Sequence, residues 1–256
     1  MKWHEMTGPE VHEFAKTTDL AVLPIGSLET HGPHLPNGSD SFIAERVCEL
    51  IAEEVPCIVL PTLYYNICAQ MKSFPGGAIS IPPQVMIQLY DAIFSECARL
   101  GFRKIFAAVC HGGSETPVEF LANMVHERAT SEVPGKPAKP DYYLFSKTLS
   151  PGAAAAKYAK DPVLEVGHGG EIETALNMAC RPDLVHMDRV TEDGPTNRRA
   201  VSANYHIEWI NQVPLAYVGN PRFASLETAD KIMEAVAADF IQAAKEIAAY
   251  EIGVDV

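Results

Sequence analysis

The sequence alternates short apolar runs with longer helical patterns, and this alternation limits the folds that the chain can adopt. Four runs have the length of strands and few charges, at residues 20–25, 57–65, 104–110 and 142–147. Four longer segments carry helical signals, at residues 40–54, 84–100, 115–130 and 228–250. Apolar strands that alternate with helices are typical of βαβ units. The sequence therefore predicts an α/β fold with three layers, α/β/α, and a mainly parallel central sheet.

Length and charge narrow the classes of protein further. The chain has 256 residues, enough for one large domain with a sizeable core, and we expect residues 1–256 to form a single domain. Its 20 basic and 33 acidic residues give a formal net charge of −13. Such a field repels a phosphate backbone instead of releasing its counterions. We therefore expect no nucleic-acid partner.

The apolar and cysteine content points away from membranes and secretion. No apolar run approaches the ~18–20 residues of a membrane span, and the first residues lack the apolar core of a signal peptide. The six cysteines are scattered without a C-x-x-C pair, unlike a secreted disulfide scaffold or a structural zinc site. We expect reduced thiols, no membrane association and a cytoplasmic location.

The densest polar cluster, GSLETHGPHLPNGSD at residues 26–40, follows the first predicted strand. Sites in open α/β sheets form beyond the carboxyl ends of strands, so this position suits an active site. Four of its side chains can ligate a metal: Glu29, His31, His34 and Asp40. In an extended segment Glu29 and His31 share a face, because residues i and i+2 point the same way. Alternatively, Asp40 is only a helix N-terminal charge and His34 a solvated loop residue.

Two further clusters carry histidine and carboxylate side chains. His111 lies at the end of the third predicted strand, in CHGGSETP, where it could equally be a histidine capped by a turn. His168, Glu171 and Glu173 lie in GHGGEIET, where the two carboxylates could instead complement a helix dipole. Three such clusters favour one shared metal site, and mixed imidazole and carboxylate ligands suit zinc, manganese or iron. A bridging aspartate could join two ions in that site.

Other catalytic patterns are absent or weak. No G-x-G-x-x-G follows a predicted strand, and no phosphate-binding G-K-[ST] loop is present. Ser114 lacks the final glycine of a nucleophile elbow. Cys110 and His111 are adjacent on a strand, so their side chains point to opposite faces, which disfavours a thiol–imidazole pair. We expect no covalent nucleophile in this chain.

The chain resembles the creatininase, or creatinine amidohydrolase, family. The resemblance rests on GSLETHGPHLPNGSD, on FPGGAIS at residues 74–80, on HGG at His111 and on GHGGEIETA. These motifs follow one another in order from about residue 20 to residue 180, which covers most of the chain. The resemblance implies a metal-dependent hydrolase that opens a small cyclic amide or a related carbonyl compound with a metal-activated water.

The resemblance also implies the ligands of the metal site. It assigns two divalent ions per chain, zinc in the first place and manganese or iron as alternatives, with Asp40 as the bridge between them. The positions that match the ligands of the family are Glu29, His31, Asp40 and His111. It gives His168 a proton-shuttling role, and it puts Glu173 close to the metals as a ligand or a catalytic residue.

Two departures from the family pattern concern the second metal shell and the substrate. Creatininase has a ligand glutamate two residues after the histidine that matches His111, where this chain has Gly113. Either Glu173 or Glu171 then completes the second shell, or that ion is weakly held. The substrate departure lies in the loop before the histidine that matches His168.

Creatininase closes over creatinine with a tryptophan in that loop, whereas this chain has DPVLEVGH there and only Trp3 and Trp209 elsewhere. Leu164 and Val166 offer apolar volume without a large aromatic face, so we expect poor turnover of creatinine. Acidic residues favour a small neutral substrate. Relatives in the family cleave a formamide, open an inosose ring or trim a peptide. A non-catalytic relative that binds a small molecule or a metal is a further alternative.

The resemblance implies a homo-oligomer, in the family commonly a hexamer. The poorly periodic segment 185–212, with an exposed-looking Trp209, is a candidate contact surface.

Overall fold

Four parallel strands form the sheet in the part of the chain that the computed structural model describes, residues 1–130, 140–150, 157–161, 167–195 and 209–252. The strands are β1 (Leu20–Ile25), β2 (Ile58–Val59), β3 (Lys104–Val109) and β4 (Tyr143–Thr148), in the order β2-β1-β3-β4. Every pairing between neighbouring strands is parallel. The described α-helices are α1 (Gly8–Phe14), α2 (Ser39–Glu54), α3 (Pro83–Arg99), α4 (Glu115–Thr130), α5 (Glu171–Cys180), α6 (Trp209–Gln212) and α7 (Leu226–Ala249).

Alternating side chains of β1 face two separate hydrophobic layers. Leu20 and Val22 pack with α2, α5 and α7 on one side, in a cluster that includes Phe240. Ala21 and Leu23 pack with α1, α3 and α4 on the other side. Because successive side chains of a strand point to opposite faces, a strand buried on both faces needs an unbroken apolar run. The predicted α/β fold, with a parallel sheet between two layers of helices, is confirmed.

The second predicted strand is shorter than its apolar run. Within residues 57–65 only β2 is a strand, so the predicted extent is wrong. Pro61 has no N–H to donate to the neighbouring strand, and the pairing with β1 resumes only at a single bridge between Ile25 and Leu63. The proline ends the ladder before the apolar pattern ends.

The other predicted strands and helices agree with the structure within two residues at each end. Helix α1 was not among the predicted elements. Strand β4 is half-buried instead of buried on both faces, because it lies at the edge of the described sheet. Most of the predicted loop at 131–141 and the predicted short helix at 153–156 lie outside the described residues. Among the described helices, none combines the length and the apolar character that a bilayer crossing requires.

The fold brings the predicted polar clusters to the carboxyl end of the sheet. The loop after β1 carries Glu29 and His31, and His111 follows β3 by two residues. A Cβ at Gly26 would lie 2.3 Å from the Cα of Ser41, so only glycine lets α2 approach the end of β1 this closely. The start of α2 therefore reaches the same edge as the two loops.

Candidate active site

Asp40 lies at the centre of the polar cluster. It is the second residue of α2, and its carboxylate is buried. Its Oδ1 lies 3.0 Å from Nε2 of His31, and its Oδ2 lies 3.0 Å from Nδ1 of His111. Oδ2 also accepts a hydrogen bond from the hydroxyl of Ser27 at 2.8 Å. The two oxygens of one carboxylate therefore face two different imidazoles.

Backbone carbonyls orient these two imidazoles. Nδ1 of His31 lies 3.1 Å from the carbonyl oxygen of Glu29, and Nε2 of His111 lies 2.8 Å from that of Ile67. A carbonyl oxygen only accepts hydrogen bonds, so these two nitrogens carry the ring protons. In the neutral rings, Nε2 of His31 and Nδ1 of His111 then present their lone pairs to Asp40.

Glu29 faces two of the histidines. Its Oε1 lies 3.3 Å from Nδ1 of His111 and 3.8 Å from Nδ1 of His168. Its backbone forms an isolated antiparallel bridge with Ala78, and its N–H donates to the carbonyl oxygen of Asn37 at 2.9 Å. The FPGGAIS segment, which contains Ala78, therefore braces the loop that carries Glu29.

His168 lies against His31. The two rings stack, with centroids 4.2 Å apart and planes inclined by 27°. Nε2 of His168 lies 2.9 Å from the carbonyl oxygen of Thr30, which assigns the ring proton to Nε2. The remaining nitrogen, Nδ1, is the one that faces Glu29. A neutral His168 therefore holds its lone pair inside the cluster.

Of the two carboxylates at the start of α5, only Glu173 faces the cluster. Its Oε2 lies 3.5 Å from Nε2 of His31 and accepts a hydrogen bond from the N–H of Gly169 at 2.6 Å. Oε2 of Glu171 instead accepts two backbone N–H groups of residues 160 and 161, at 2.8 and 2.6 Å. Two residues apart on a helix, the side chains point to nearly opposite sides. Of the two carboxylates that the sequence left open, Glu173 is the one brought to the histidines.

The donor set of the cluster fits divalent metal ions. One ligand atom from each of His31, Asp40 and Glu173 lies within 4.8 Å of the others, and the same holds for Glu29, His31 and His168. Nε2 of His31 is buried without a hydrogen-bond partner, although Oδ1 of Asp40 is only 3.0 Å away, because the geometry is not that of a hydrogen bond. Two facing lone-pair donors at this distance suit a shared cation. Imidazole with carboxylate is a donor set for zinc, manganese or iron.

Cys68 forms another ligand-type group with Glu29 and His111, but on the far side of the imidazole. Its Sγ lies 3.8 Å from Nε2 of His111, the nitrogen that donates to Ile67, whereas Asp40 lies against Nδ1. A nitrogen that carries a proton has no lone pair for a metal. Cys68 therefore borders the cluster without joining the donor set around Asp40.

The buried charges shift the pKa values of the cluster in different directions. Burial lowers the pKa of His31, but the carboxylates of Asp40, Glu173 and Glu29 outweigh it and raise that pKa to about 10. Burial and the charge of His31 lower the pKa of His168 to about 3. Burial raises the pKa of Glu173 to about 7, against the attraction of His31. The surrounding carboxylates thus favour a proton or a metal ion on Nε2 of His31, whereas burial and the charge at His31 favour the neutral form of His168.

Three other residues of the sequence motifs, His34, Cys110 and Ser114, lie close by. His34 is buried, so its interpretation as a solvated loop residue is wrong; its Nε2 lies 3.0 Å from Oγ1 of Thr174 and ties the loop to α5. Burial holds the pKa of the Cys110 thiol well above its usual value. Ser114 is buried in the short 3₁₀ turn Gly112–Ser114.

Gly113 occupies a position without room for a side chain. A Cβ there would lie 2.3 Å from the carbonyl oxygen of Ile67 and 2.5 Å from Nε2 of His111. A Cβ at the neighbouring Gly112 would have nothing within 4 Å. The backbone around His111 therefore excludes a glutamate at residue 113.

A cavity of about 520 Å³ opens over the cluster, with Glu29, His111, His168 and Glu173 in its lining. Trp209 lines it as well. Only 8% of Trp209 is exposed, so the expectation of an exposed contact residue is wrong. Sequence reasoning missed its place in the site because α6 has four residues and no motif. Residues 164 and 166, which were expected to supply apolar volume, lie outside the described residues.

Comparison with known proteins agrees with the motifs. The family model Creatininase (creatinine amidohydrolase) matches residues 4–244. The creatinine amidohydrolase of Pseudomonas putida is 30% identical over 69% of this chain and 70% of its own length. The 3-dehydro-scyllo-inosose hydrolase of Thermotoga maritima is 24% identical over 91% of this chain and 78% of its own. A mycofactocin precursor peptide peptidase of Mycobacterium tuberculosis is 29% identical over 40% of this chain and 44% of its own.

Solved structures show the same fold. A creatinine amidohydrolase (creatininase) structure superimposes with a TM-score of 0.79, at 24% identity, and covers 98% of each chain. A manganese creatininase matches with a TM-score of 0.79 over 97% of this chain and 99% of its own, at 24% identity. A creatininase variant complexed with creatine matches with a TM-score of 0.77 over 96% of this chain and 97% of its own, at 25% identity. The chain belongs to the creatininase family and is a hydrolase of that family.

Proposed function

We propose that the chain is a metal-dependent amidohydrolase that opens a small, neutral cyclic amide or a related carbonyl compound. The observation that carries this proposal is the position of Asp40, whose two oxygens each lie 3.0 Å from a different imidazole nitrogen. The manganese of one matched creatininase and the creatine bound by another give further support. Creatine is the ring-opened product of creatinine hydrolysis.

Two divalent ions, zinc in the first place, would share Asp40. Glu29 and His111 would hold one ion together with Asp40, and His31 and Glu173 would hold the other. Glu173 then supplies the carboxylate for which residue 113 has no room. When bound, such ions supply Lewis acidity, which lowers the pKa of a water and polarises a carbonyl oxygen.

His168 would carry the proton between the attacking water and the leaving nitrogen. Because its Nε2–H donates to the carbonyl oxygen of Thr30, Nδ1 is the atom that accepts the proton and returns it. Stacking on His31 and an edge contact with Trp209 fix the plane of the ring. A ring fixed on three sides is positioned for transfer at one nitrogen only.

The cavity lining favours a neutral substrate. Beyond the proposed ligands, its remaining charged side chain among the described residues is that of Glu115, and no lysine or arginine contributes. A keto-cyclitol is the second candidate substrate, because the inosose hydrolase matches 91% of the chain. Formamides and peptides belong in the same panel, since relatives of the family process both.

Elemental analysis of the purified protein, combined with a substrate panel, tests the proposal. We expect up to two divalent ions per chain, and hydrolysis of at least one cyclic amide that chelation abolishes and added metal restores. Full activity of the metal-free protein would contradict metal dependence. Bound metal with no turnover of any compound would favour the non-catalytic binding protein.

We also propose a homo-oligomer, with a hexamer as the family resemblance suggests. Light scattering at micromolar concentration measures its mass. A clean monomer of 27.9 kDa would remove this part of the proposal.

A further inference from the structure

Trp209 adds an aromatic surface to the cavity. It begins α6, and it lines the cavity together with His168 and Glu173. The centroids of its indole and of the His168 imidazole lie 4.9 Å apart, with the planes at 86°. Because His168 in turn stacks on His31, a series of three rings runs from the side of the cavity to the buried carboxylates.

A hydrophobic layer holds this indole in place. Trp209 packs in a cluster with Val213 and Val218 and with Met71, which lies in the 3₁₀ segment Ala69–Ser73. Met71 itself also lines the cavity. A side chain that is packed before the ligand arrives loses little conformational entropy on binding. The indole is therefore a preformed surface.

The rest of the lining combines apolar side chains, such as Leu149 and Ile172, with carboxylates and imidazoles. This mixture suits a small ligand with a flat face and polar edges. The cavity volume of about 520 Å³ falls within the range of small-molecule sites, roughly 300–1,000 Å³. An indole attracts planar rings in offset stacking. A puckered polyol ring offers C–H groups and hydroxyls in place of a π face, so it gains less from the same contact.

We propose that Trp209 is a specificity-determining residue whose indole stacks on the flat ring of the substrate and selects planar cyclic amides over puckered rings. This inference rests on the proposed function, which makes the cavity the substrate site. Poor turnover of creatinine was expected because the loop before His168 lacks an aromatic side chain. A stacking role for Trp209 removes that reason. An aromatic face does lie beside His168, although it comes from α6 and not from the loop before that histidine.

Fluorescence can isolate this residue, because the chain has only two tryptophans. Trp3 packs against Phe102 in the hydrophobic layer on the α1, α3 and α4 side of the sheet, and it is not a lining residue of the cavity. Trp3→Phe keeps a ring there and leaves Trp209 as the only indole. We expect creatinine and hydantoin, both planar, to change the emission of the metal-loaded variant saturably. myo-Inositol, a puckered polyol, should change it much less at the same concentration. Equal responses to both kinds of ring, or no response to the planar ones, would overturn the proposal.

Substitution of Trp209 separates a substrate contact from a structural role. Trp209→Leu should raise the Kd of creatinine and hydantoin, measured by calorimetry, by about 2- to 12-fold, the equivalent of an aromatic contact. Trp209→Phe should restore most of the affinity, and both variants should keep the metal content of the parent. An unchanged Kd in Trp209→Leu, or a loss of metal from it, would show that the indole is only structural.

Stacking and turnover can fail separately. If no amide is hydrolysed while the emission of Trp209 still responds to planar rings alone, the proposed function fails and this inference stands. If a cyclic amide is hydrolysed and Trp209→Leu keeps the parental KM, this inference fails and the proposed function stands.

Discussion

The site around the cavity has two parts with different origins in the sequence. The floor consists of the lining residues Glu29, His111, His168 and Glu173 together with His31 and Asp40, which are buried beneath them. Each of these residues lies in a short polar motif after a strand or at the start of a helix. The wall consists of Gln70, Met71, Thr148, Leu149 and Trp209, which come from three distant segments without a common motif. Contiguous motifs thus supply chemical groups, whereas the shape that selects a ligand depends on how distant segments pack.

The floor should depend on Asp40 more than on any other residue. Asp40→Asn removes the negative charge and one of the two oxygens that face the imidazoles, and we expect it to lose both metal ions and all measurable metal-dependent activity. Elemental analysis of the variant measures this. Ser39→Ala is the matched control, because Ser39 precedes Asp40 on α2 and its hydroxyl donates to the carbonyl oxygen of Pro36.

Loss of the hydrogen bond from Ser39 to Pro36 costs about 0.5–1.5 kcal/mol of stability and no metal. Ser39→Ala should therefore keep the parental metal content. If Asp40→Asn behaved like this control, Asp40 would be only a helix N-terminal charge, and the floor would lose its bridge.

The next largest effect separates proton transfer from covalent catalysis. His168→Ala should lower kcat by ~10²–10⁴, the usual contribution of a general acid–base, with metal content unchanged. Cys110→Ala and Ser114→Ala should keep most of the activity, since both side chains are buried and burial suppresses the thiolate of Cys110. Steady-state assays on whichever amide the panel identifies give these values.

Mass spectrometry tests whether a covalent intermediate forms, which would contradict this prediction. A substrate adduct trapped on Cys110 or Ser114 would mean that a covalent nucleophile, and not a water activated at the floor, attacks the substrate. Activity of His168→Ala within a few-fold of the parent would remove the proton-transfer role.

The floor could largely be predicted from the sequence because its geometry follows from the sheet. Carboxyl ends of adjacent parallel strands meet at one edge, so polar residues after β1 and β3 had to converge there. Glu29 and His31 are two apart in an extended segment, and both face the cluster. What the sequence left open was the direction of Glu171 and Glu173, because the phase of α5 relative to the sheet depends on packing.

The wall could not be predicted because its segments carry only apolar or irregular patterns. Trp209 starts a helix of four residues, too short for any periodicity, and its burial depends on Met71, which is more than a hundred residues away. Pro61 shows the same limit within the sheet, since an apolar run does not reveal where its ladder ends. Short local patterns indicate whether a segment is a helix or a strand, whereas tertiary contacts determine where the element ends and which of its side chains are buried.

Gly113 lies where floor and wall meet, and it offers a smaller test. Gly113→Ala should cost about 1–3 kcal/mol in the free energy of unfolding, because the new Cβ collides with the carbonyl of Ile67 and with His111. Gly112→Ala, with open space around it, should change stability by much less. Thermal melting and metal content report both effects.

Gly113→Glu introduces the glutamate that the family pattern has at this position as a metal ligand. If Gly113→Glu bound metal more tightly at unchanged stability, the floor would accept a carboxylate at this position. The collision with His111 leads us to expect weaker metal binding instead.

The smallest effect concerns an ion pair that lies outside both floor and wall. Asp91 of α3 accepts hydrogen bonds from Arg128 of α4 at 2.6 and 2.8 Å and from the hydroxyl of Tyr142 at 2.7 Å, and Arg128 holds the pKa of this carboxyl below its usual value. The pKa of Asp91 is lower in the folded state than in the unfolded state. The pair therefore stabilises the fold fully above the unfolded pKa, about 3.9, and this contribution disappears as the pH falls through the folded pKa.

Asp91→Asn should therefore lower the free energy of unfolding at pH 7 by roughly 0.2–1 kcal/mol, as for partly exposed pairs. The gap to the parent in urea unfolding should narrow as the pH drops below the unfolded value, about 3.9. Glu96→Gln, which breaks an exposed pair with Arg99 on the same helix, is the matched control and should change the urea midpoint less. A gap for Asp91→Asn that stayed constant across this pH range would assign the effect to packing.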